Sequence, residues 1–103
     1  MRKKNLVIAN WKMNPETVEQ AREIFEPIKR FASKLKKTEV VIAPSFIHIP
    51  LISKLLNRNK KVFLGAQNTH HKSVGAYTGE VGLSQLKDLK VKYIIDIYKG
   101  KVL

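Results

Sequence analysis

The sequence predicts an α/β protein in which a parallel sheet of about four strands is interleaved with three helical segments. Three observations predict it. Short apolar runs lie at residues 6–9, 40–43, 61–66 and 92–97. Runs of this length between polar flanks read as strands. The stretches between several of these runs carry apolar residues at three- and four-residue steps, the mark of an amphipathic helix. The connections are also long enough for the helical crossover that parallel neighbours require, and such crossovers are right-handed. This β/α unit recurs about three and a half times, which fits part of a (β/α)8 barrel of about 250 residues. The 103 residues therefore read as a single incomplete barrel domain, its amino-terminal half.

The elements follow in order. Residues 6–9 form the first strand, expected to be buried, and it ends abruptly in Asn10, Trp11, Lys12, Met13 and Asn14. Asn14 is expected to cap a helix whose first position is Pro15. Val18, Ala21, Phe25, Ile28, Ala32 and Leu35 form its apolar stripe. Pro27 lies inside that stripe and is expected to kink or divide the helix. Lys36 and Lys37 suit its carboxyl end. Residues 40–43 form the second strand, ended by Pro44. Residues 47–56 form a short helix with Pro50 near its start and His48 on its surface. Residues 61–66 form the third strand, and 67–80 a polar loop with Gly75 and Gly79. In that loop the side chains of His70 and His71 are expected to point opposite ways, as neighbours on an extended chain do, which argues against shared metal ligation. Residues 83–89 form a short helix and 92–97 the fourth strand. No linker or domain boundary appears.

Composition narrows the function. Twenty Lys and Arg stand against eight Asp and Glu, a net charge of +12. The cations are spread over residues 2–4, 29–37, 58–61, 87–92, 99 and 101 without a nucleic-acid-binding motif. They read as solvated faces of a basic protein rather than as a nucleic-acid surface. Such a field would also draw in a small phosphorylated substrate. There is no cysteine, so no disulfide framework and no thiolate metal site. No window approaches the roughly 18 apolar residues of a membrane span, and the apolar run after the basic start is too short for a secretory signal. No membrane partner and a cytoplasmic location are expected. No glycine fingerprint follows the first strand, which argues against a dinucleotide-binding unit.

An Asn and a Lys at the carboxyl end of a strand stand where α/β sheets bind ligands. Four segments then occur in order: Asn10-Trp11-Lys12-Met13-Asn14, Ile42-Ala43-Pro44-Ser45-Phe46, Leu64-Gly65-Ala66-Gln67-Asn68, and Gly75-Ala76-Tyr77-Thr78-Gly79-Glu80-Val81. With these segments the chain, from Asn5 to Ile95, resembles the amino-terminal portion of the triosephosphate isomerases. The resemblance implies a TIM barrel and the interconversion of dihydroxyacetone phosphate and glyceraldehyde 3-phosphate, in glycolysis and gluconeogenesis. It implies no cofactor, no metal, a phosphorylated triose as substrate, and a cytoplasmic homodimer. Asn10 and Lys12 would contact the substrate. Lys12 would place positive charge near the phosphate and the reacting oxygens, and Asn10 would position the substrate and the catalytic groups. Trp11 reads as a packing residue. Met13, Thr78 and Gly79 would lie at the dimer interface, with Thr78 at the tip of a loop that reaches into the neighbouring subunit and Met13 in the loop that receives it.

The chain departs from the family near its carboxyl end. The fourth strand should continue into a Gly-His-Ser-Glu-Arg-Arg segment that holds the electrophilic His. Here Tyr93-Ile94-Ile95 is followed by Asp96-Ile97-Tyr98, with Tyr98 where the His would fall. The Glu base, the lid and the main phosphate-binding amides belong to later strands. A positioned acid or base contributes about 10²- to 10⁴-fold in rate, so the chain alone is expected to be inactive. Tyr98 is a poor substitute, since a phenol titrates near pH ~10. Asp96 reads as a solvated strand-end carboxylate. A change of reading frame is the leading explanation of the tail. The alternatives are a non-enzymatic anion- or nucleic-acid-binding protein, or one subunit of a split isomerase. A half-barrel is expected to leave its first and fourth strands as open edges and to self-associate.

Overall fold

The computed structural model describes residues 4–98; residues 1–3, the tail from Lys99 and the side chains of Ile97 and Tyr98 lie outside the described residues. The elements are β1 (Asn5–Asn10), α1 (Val18–Ala32), β2 (Thr38–Ala43), a 3₁₀ turn (Phe46–His48), α2 (Ile49–Leu56), β3 (Val62–His70), α3 (Leu83–Asp88) and β4 (Tyr93–Tyr98). The four strands form one curled, wholly parallel sheet in the order β1-β2-β3-β4, a partial TIM barrel. Ile8 pairs with Val41, Ile42 with Leu64, and Gly65 with Tyr93.

The core lies between the sheet and the helices. Val40 and Ile42 of β2 and Val62, Leu64 and Ala66 of β3 pack against Phe25 and Ala32 of α1, Ile49, Ile52 and Leu56 of α2, and Leu86 of α3. Ala9, Trp11 and Ile94 join this layer as partly buried members. Strand side chains alternate between faces. The residues between these, namely Leu6, Ile8, Val41, Phe63, Tyr93 and Ile95, therefore line the opposite, concave face. No helix covers that face among the described residues.

Several elements differ from the expectations. β1 is not a buried strand: Leu6, Val7 and Ile8 are 47%, 49% and 51% exposed. Among the described residues it lies at the edge of the sheet, with β2 on one side only. Helix α1 is capped by Thr17, not Asn14. Thr17 Oγ1 accepts the Gln20 N–H at 3.1 Å, and the Gln20 side chain accepts the Thr17 N–H at 3.1 Å. That reciprocal pair satisfies two otherwise unmatched amides, which a cap at Asn14 could not do. Helix α1 also runs through Pro27 undivided. Pro27 is exposed on the solvent side, while Ala21, Phe25 and Ala32 are fully buried on both sides of it in sequence. That shared buried face holds both halves of the helix in register.

The third strand continues four residues past Ala66, so 67–70 is strand and not loop. Pairing decides this: Asn68 lies opposite Asp96 and His70 opposite Tyr98. Polar side chains are no bar to a strand whose ladder is satisfied on the far side. His48, expected on a helix surface, is fully buried.

Candidate functional site

The carboxyl ends of β1, β2 and β3 meet in a small network of backbone and amide groups. The Trp11 N–H donates to the Ala43 carbonyl at 3.0 Å, which carries the β1–β2 ladder one residue beyond the strand. The chain then turns at Lys12, whose φ is 59°. For a non-glycine residue the left-handed region costs about 1–2 kcal/mol, so neighbours must hold it there. Two side chains do so. Asn10 Oδ1 accepts the Lys12 N–H at 2.9 Å. Gln67 Nε2 donates to the Lys12 carbonyl at 2.7 Å and to the Ala43 carbonyl at 3.0 Å. Both amide groups of Lys12 are thus tied down, one within β1 and one from β3.

The rest of the first loop is fixed from two more directions. Asn14 Nδ2 donates to the Trp11 carbonyl at 3.1 Å. Nε2 of buried His48 lies 2.8 Å from the Pro15 carbonyl. A carbonyl only accepts, so Nε2 donates this bond. Nδ1 is buried and has no hydrogen-bond partner among the described residues. Trp11 packs against the helix-side core, in keeping with a packing role.

The side chain of Lys12 is exposed. The ion pairs found among the described residues are Lys4–Glu39 and Glu19–Arg22, so neither engages it. What the arrangement offers is an exposed ammonium, in no ion pair among the described residues, on an immobilised backbone at the carboxyl end of a parallel sheet. Oδ1 of Asn10 already accepts one hydrogen bond, and Nδ2 is a donor that Asn10 can turn to a ligand. A cation and an amide donor suit an anionic, oxygen-rich ligand. None of these groups is a general base. Asp96 is an exposed carboxylate on β4, opposite Asn68.

The loop after β3 is anchored at its base and open at its tip. The His70 N–H and Thr69 Oγ1 both donate to the Val81 carbonyl, at 2.8 and 3.2 Å. His70 is buried, and its Nδ1 accepts the Lys72 N–H at 3.0 Å. Its ring lies 4.5 Å from that of His71 and 4.3 Å from that of Tyr77. The two histidines therefore face each other and do not point apart, because the extended chain ends at His70 and bends at His71. No group of three or more His, Asp or Glu among the described residues is placed to hold a metal ion. At the tip, the Glu80 N–H donates to the Tyr77 carbonyl at 3.0 Å, closing a turn with Thr78 and Gly79 at its centre. Gly79 has φ 82°, the value that favours glycine at the third position of a type II turn. Thr78 and Gly79 are exposed, as is Met13 at 92%.

Two residues of the site escaped the sequence reading. Gln67 is a polar residue two places after Gly65 on the concave face, so strand alternation pointed it toward Lys12 once the strand was known to continue. His48 stands four residues before Ile52 and eight before Leu56, on the buried stripe of the same helical segment. A cavity of about 520 Å³ opens at the opposite ends of β3 and β4, walled in part by Lys54, Arg58, Phe63, Lys90 and Lys92. It is remote from the Lys12 end in the sheet.

Comparison with known proteins bears on this site. A family model described as triosephosphate isomerase matches residues 5–96. A triosephosphate isomerase of Amoebophilus asiaticus is 41% identical over 95 residues, covering 89% of this chain and 37% of that protein. One from Mesomycoplasma hyopneumoniae is 41% identical over 97 residues, covering 89% of this chain and 39% of that protein. One from Aquifex aeolicus is 35% identical over 92 residues, covering 89% and 36%. The chain spans somewhat more than a third of the length of these curated relatives.

Proposed function

The chain belongs to the triosephosphate isomerase family, and from that membership we propose that Asn10 and Lys12 bind a phosphorylated triose as the amino-terminal part of an isomerase site. The reaction would interconvert dihydroxyacetone phosphate and glyceraldehyde 3-phosphate, in glycolysis and gluconeogenesis, in the cytoplasm and without a cofactor. One observation carries the reading: Lys12 is held in a left-handed conformation by Asn10 and Gln67, with its ammonium free at the sheet's carboxyl end. A strained residue clamped on both sides is the kind of arrangement that pre-orders a binding group.

The chemistry sets the division of labour. Removing a proton next to a carbonyl creates an enediolate, whose negative charge spreads over two oxygens. Lys12 would stabilise that charge and the phosphate, and Asn10 Nδ2 would orient the oxygens. Proton transfer needs a base and an electrophile within hydrogen-bond reach. Around Lys12 the described groups are amides and carbonyls, so a further polypeptide segment would supply both. The exposed tip at Thr78 and Gly79 and the exposed Met13 support a family-type contact between closed barrels once that segment is present.

The test is a titration of the isotope-labelled chain with dihydroxyacetone phosphate. The amide signals of Asn10, Lys12 and Gln67 are expected to shift together and to saturate. Lys12→Ala is expected to weaken this at least about tenfold, the scale of one charge-assisted contact. Shifts spread evenly over the basic surface, unchanged in Lys12→Ala, would refute the assignment.

A further inference from the structure

We infer that the basic cavity at the amino-terminal ends of β3 and β4 is a second binding site, and that it takes a nucleoside polyphosphate, several phosphate charges joined to a flat, weakly polar ring. The site is independent of the triose reading, since Lys12 lies at the other end of the sheet. Its volume is about 520 Å³. Small-molecule pockets run from about 300 to 1,000 Å³. Two connections wall it, residues 53–59 at the end of α2 and 90–92 between α3 and β4, with the start of β3 as its floor. β3 is an interior strand, with β2 on one side and β4 on the other. The cavity exists because β4 joins late. The Lys92 N–H donates to the Leu64 carbonyl at 2.8 Å, and Gly65 opposite Tyr93 is the first pair. Val62 and Phe63 pair with β2 alone among the described residues. Its shape is set by where β4 begins.

Four exposed cations stand around the opening, Lys54, Arg58, Lys90 and Lys92, and no carboxylate lines it. They lie far apart in sequence, and the fold gathers them. The carboxyl ends of α2 and α3 are here too, and each carries about half a negative charge, so together they offset about one of the four cations. Their carbonyls already have other partners. Lys29 Nζ donates to the Leu55 carbonyl at 2.6 Å, and the Asn59 N–H to the Leu56 carbonyl at 3.0 Å. Ser53 Oγ donates to the Leu89 carbonyl at 2.6 Å, and the Lys90 N–H to the Lys87 carbonyl at 3.0 Å. The charged ends of Lys54, Arg58 and Lys90 make no hydrogen bond or ion pair among the described residues. Lys92 Nζ lies 4.1 Å from the centre of the Phe63 ring, a cation–π contact that keeps its charge at the cavity.

This balance selects the ligand. About three positive charges remain after the helix ends are counted, which matches a di- or triphosphate better than a single phosphate group. Arg58 adds a planar fork suited to phosphate oxygens. Leu56, Val62, Phe63 and Leu64 also line the cavity. Phosphates alone would leave that apolar wall wet, whereas a nucleobase ring removes it from water.

The test is a titration of the isotope-labelled chain with ATP, free of divalent cations and at fixed ionic strength. The amide signals of Arg58, Val62, Lys90 and Lys92 are expected to shift together and saturate, while those of Asn10 and Lys12 stay in place. Inorganic triphosphate and adenosine each offer one half of the ligand, and each should bind at least about tenfold more weakly. Arg58→Ala should weaken ATP binding about tenfold, the scale of one charge-assisted contact. Lys90 has φ 67°, a conformation that glycine adopts without strain. Lys90→Gly should therefore bind about tenfold more weakly while its urea midpoint is no lower than that of the parent chain. Lys34→Ala removes one exposed charge outside the cavity and should change the affinity less than about twofold. Triphosphate binding as tightly as ATP would overturn the inference. So would shifts spread evenly over the basic surface, equal losses in Lys34→Ala and Arg58→Ala, or no saturable shift.

Discussion

At the scale of single residues, the strained position is Lys12, held by Asn10 and Gln67. Its φ of 59° is a cost borne by the fold, and Asn10 and Gln67 offset it through bonds to both of its amide groups. Lys12→Gly should therefore raise stability in urea unfolding by about 0.5–1 kcal/mol, because glycine occupies this region without a clash. The same change should remove the response to dihydroxyacetone phosphate. Stability and binding moving in opposite directions is the signature of a strained binding residue. His48 makes the converse case, since its role is to pack and to hold. It is fully buried, and its Nε2 donates to the Pro15 carbonyl that ends the first loop. His48→Ala opens a cavity and leaves that carbonyl without its donor, and urea unfolding should show a loss of about 2–4 kcal/mol.

Among the elements, the start of α1 separates two readings of one sequence. Asn14-Pro15 has the chemistry of a cap followed by a first helical turn, and Thr17 with Gln20 has the chemistry of a capping box. The box wins because it matches two amides at once. Thr17→Ala should destabilise the chain by about 1 kcal/mol, whereas Asn14→Ala should leave the helix content unchanged in circular dichroism. The same comparison shows what was legible from the sequence. Each strand and helix could be placed because apolar period carries that information, and Asn10 and Lys12 were visible as polar residues ending an apolar run. The end of β3 was not, because residues 67–70 are polar and only pairing with β4 makes them strand. Gln67 was hidden with it. The exposure of β1 was hidden too, since an apolar run records what a strand would bury and not which neighbours it has. His70 and His71 were misread for a similar reason: where a strand stops decides whether adjacent side chains diverge.

For the whole molecule, helices cover one face of the sheet, and among the described residues no helix covers the concave face. Protection from hydrogen exchange should follow that division. At low concentration the amides of β1 and β4 should exchange faster than those of β2 and β3, whose two neighbours close both ladders. Equal protection of all four strands in a dilute single chain would contradict the open-edge account. The family assignment makes a larger claim about the same architecture, namely that this sheet holds one part of a site and not the whole of it. Its most direct test is an isomerase assay on the purified chain, alone and mixed with a separately made carboxyl-terminal half of a relative. The expected outcome is no turnover alone, turnover in the mixture, and a loss of about a hundredfold on Lys12→Ala in the mixture, the scale of one group that stabilises developing charge. Turnover by the chain alone that Lys12→Ala abolished, or turnover in the mixture that Lys12→Ala left intact, would contradict it.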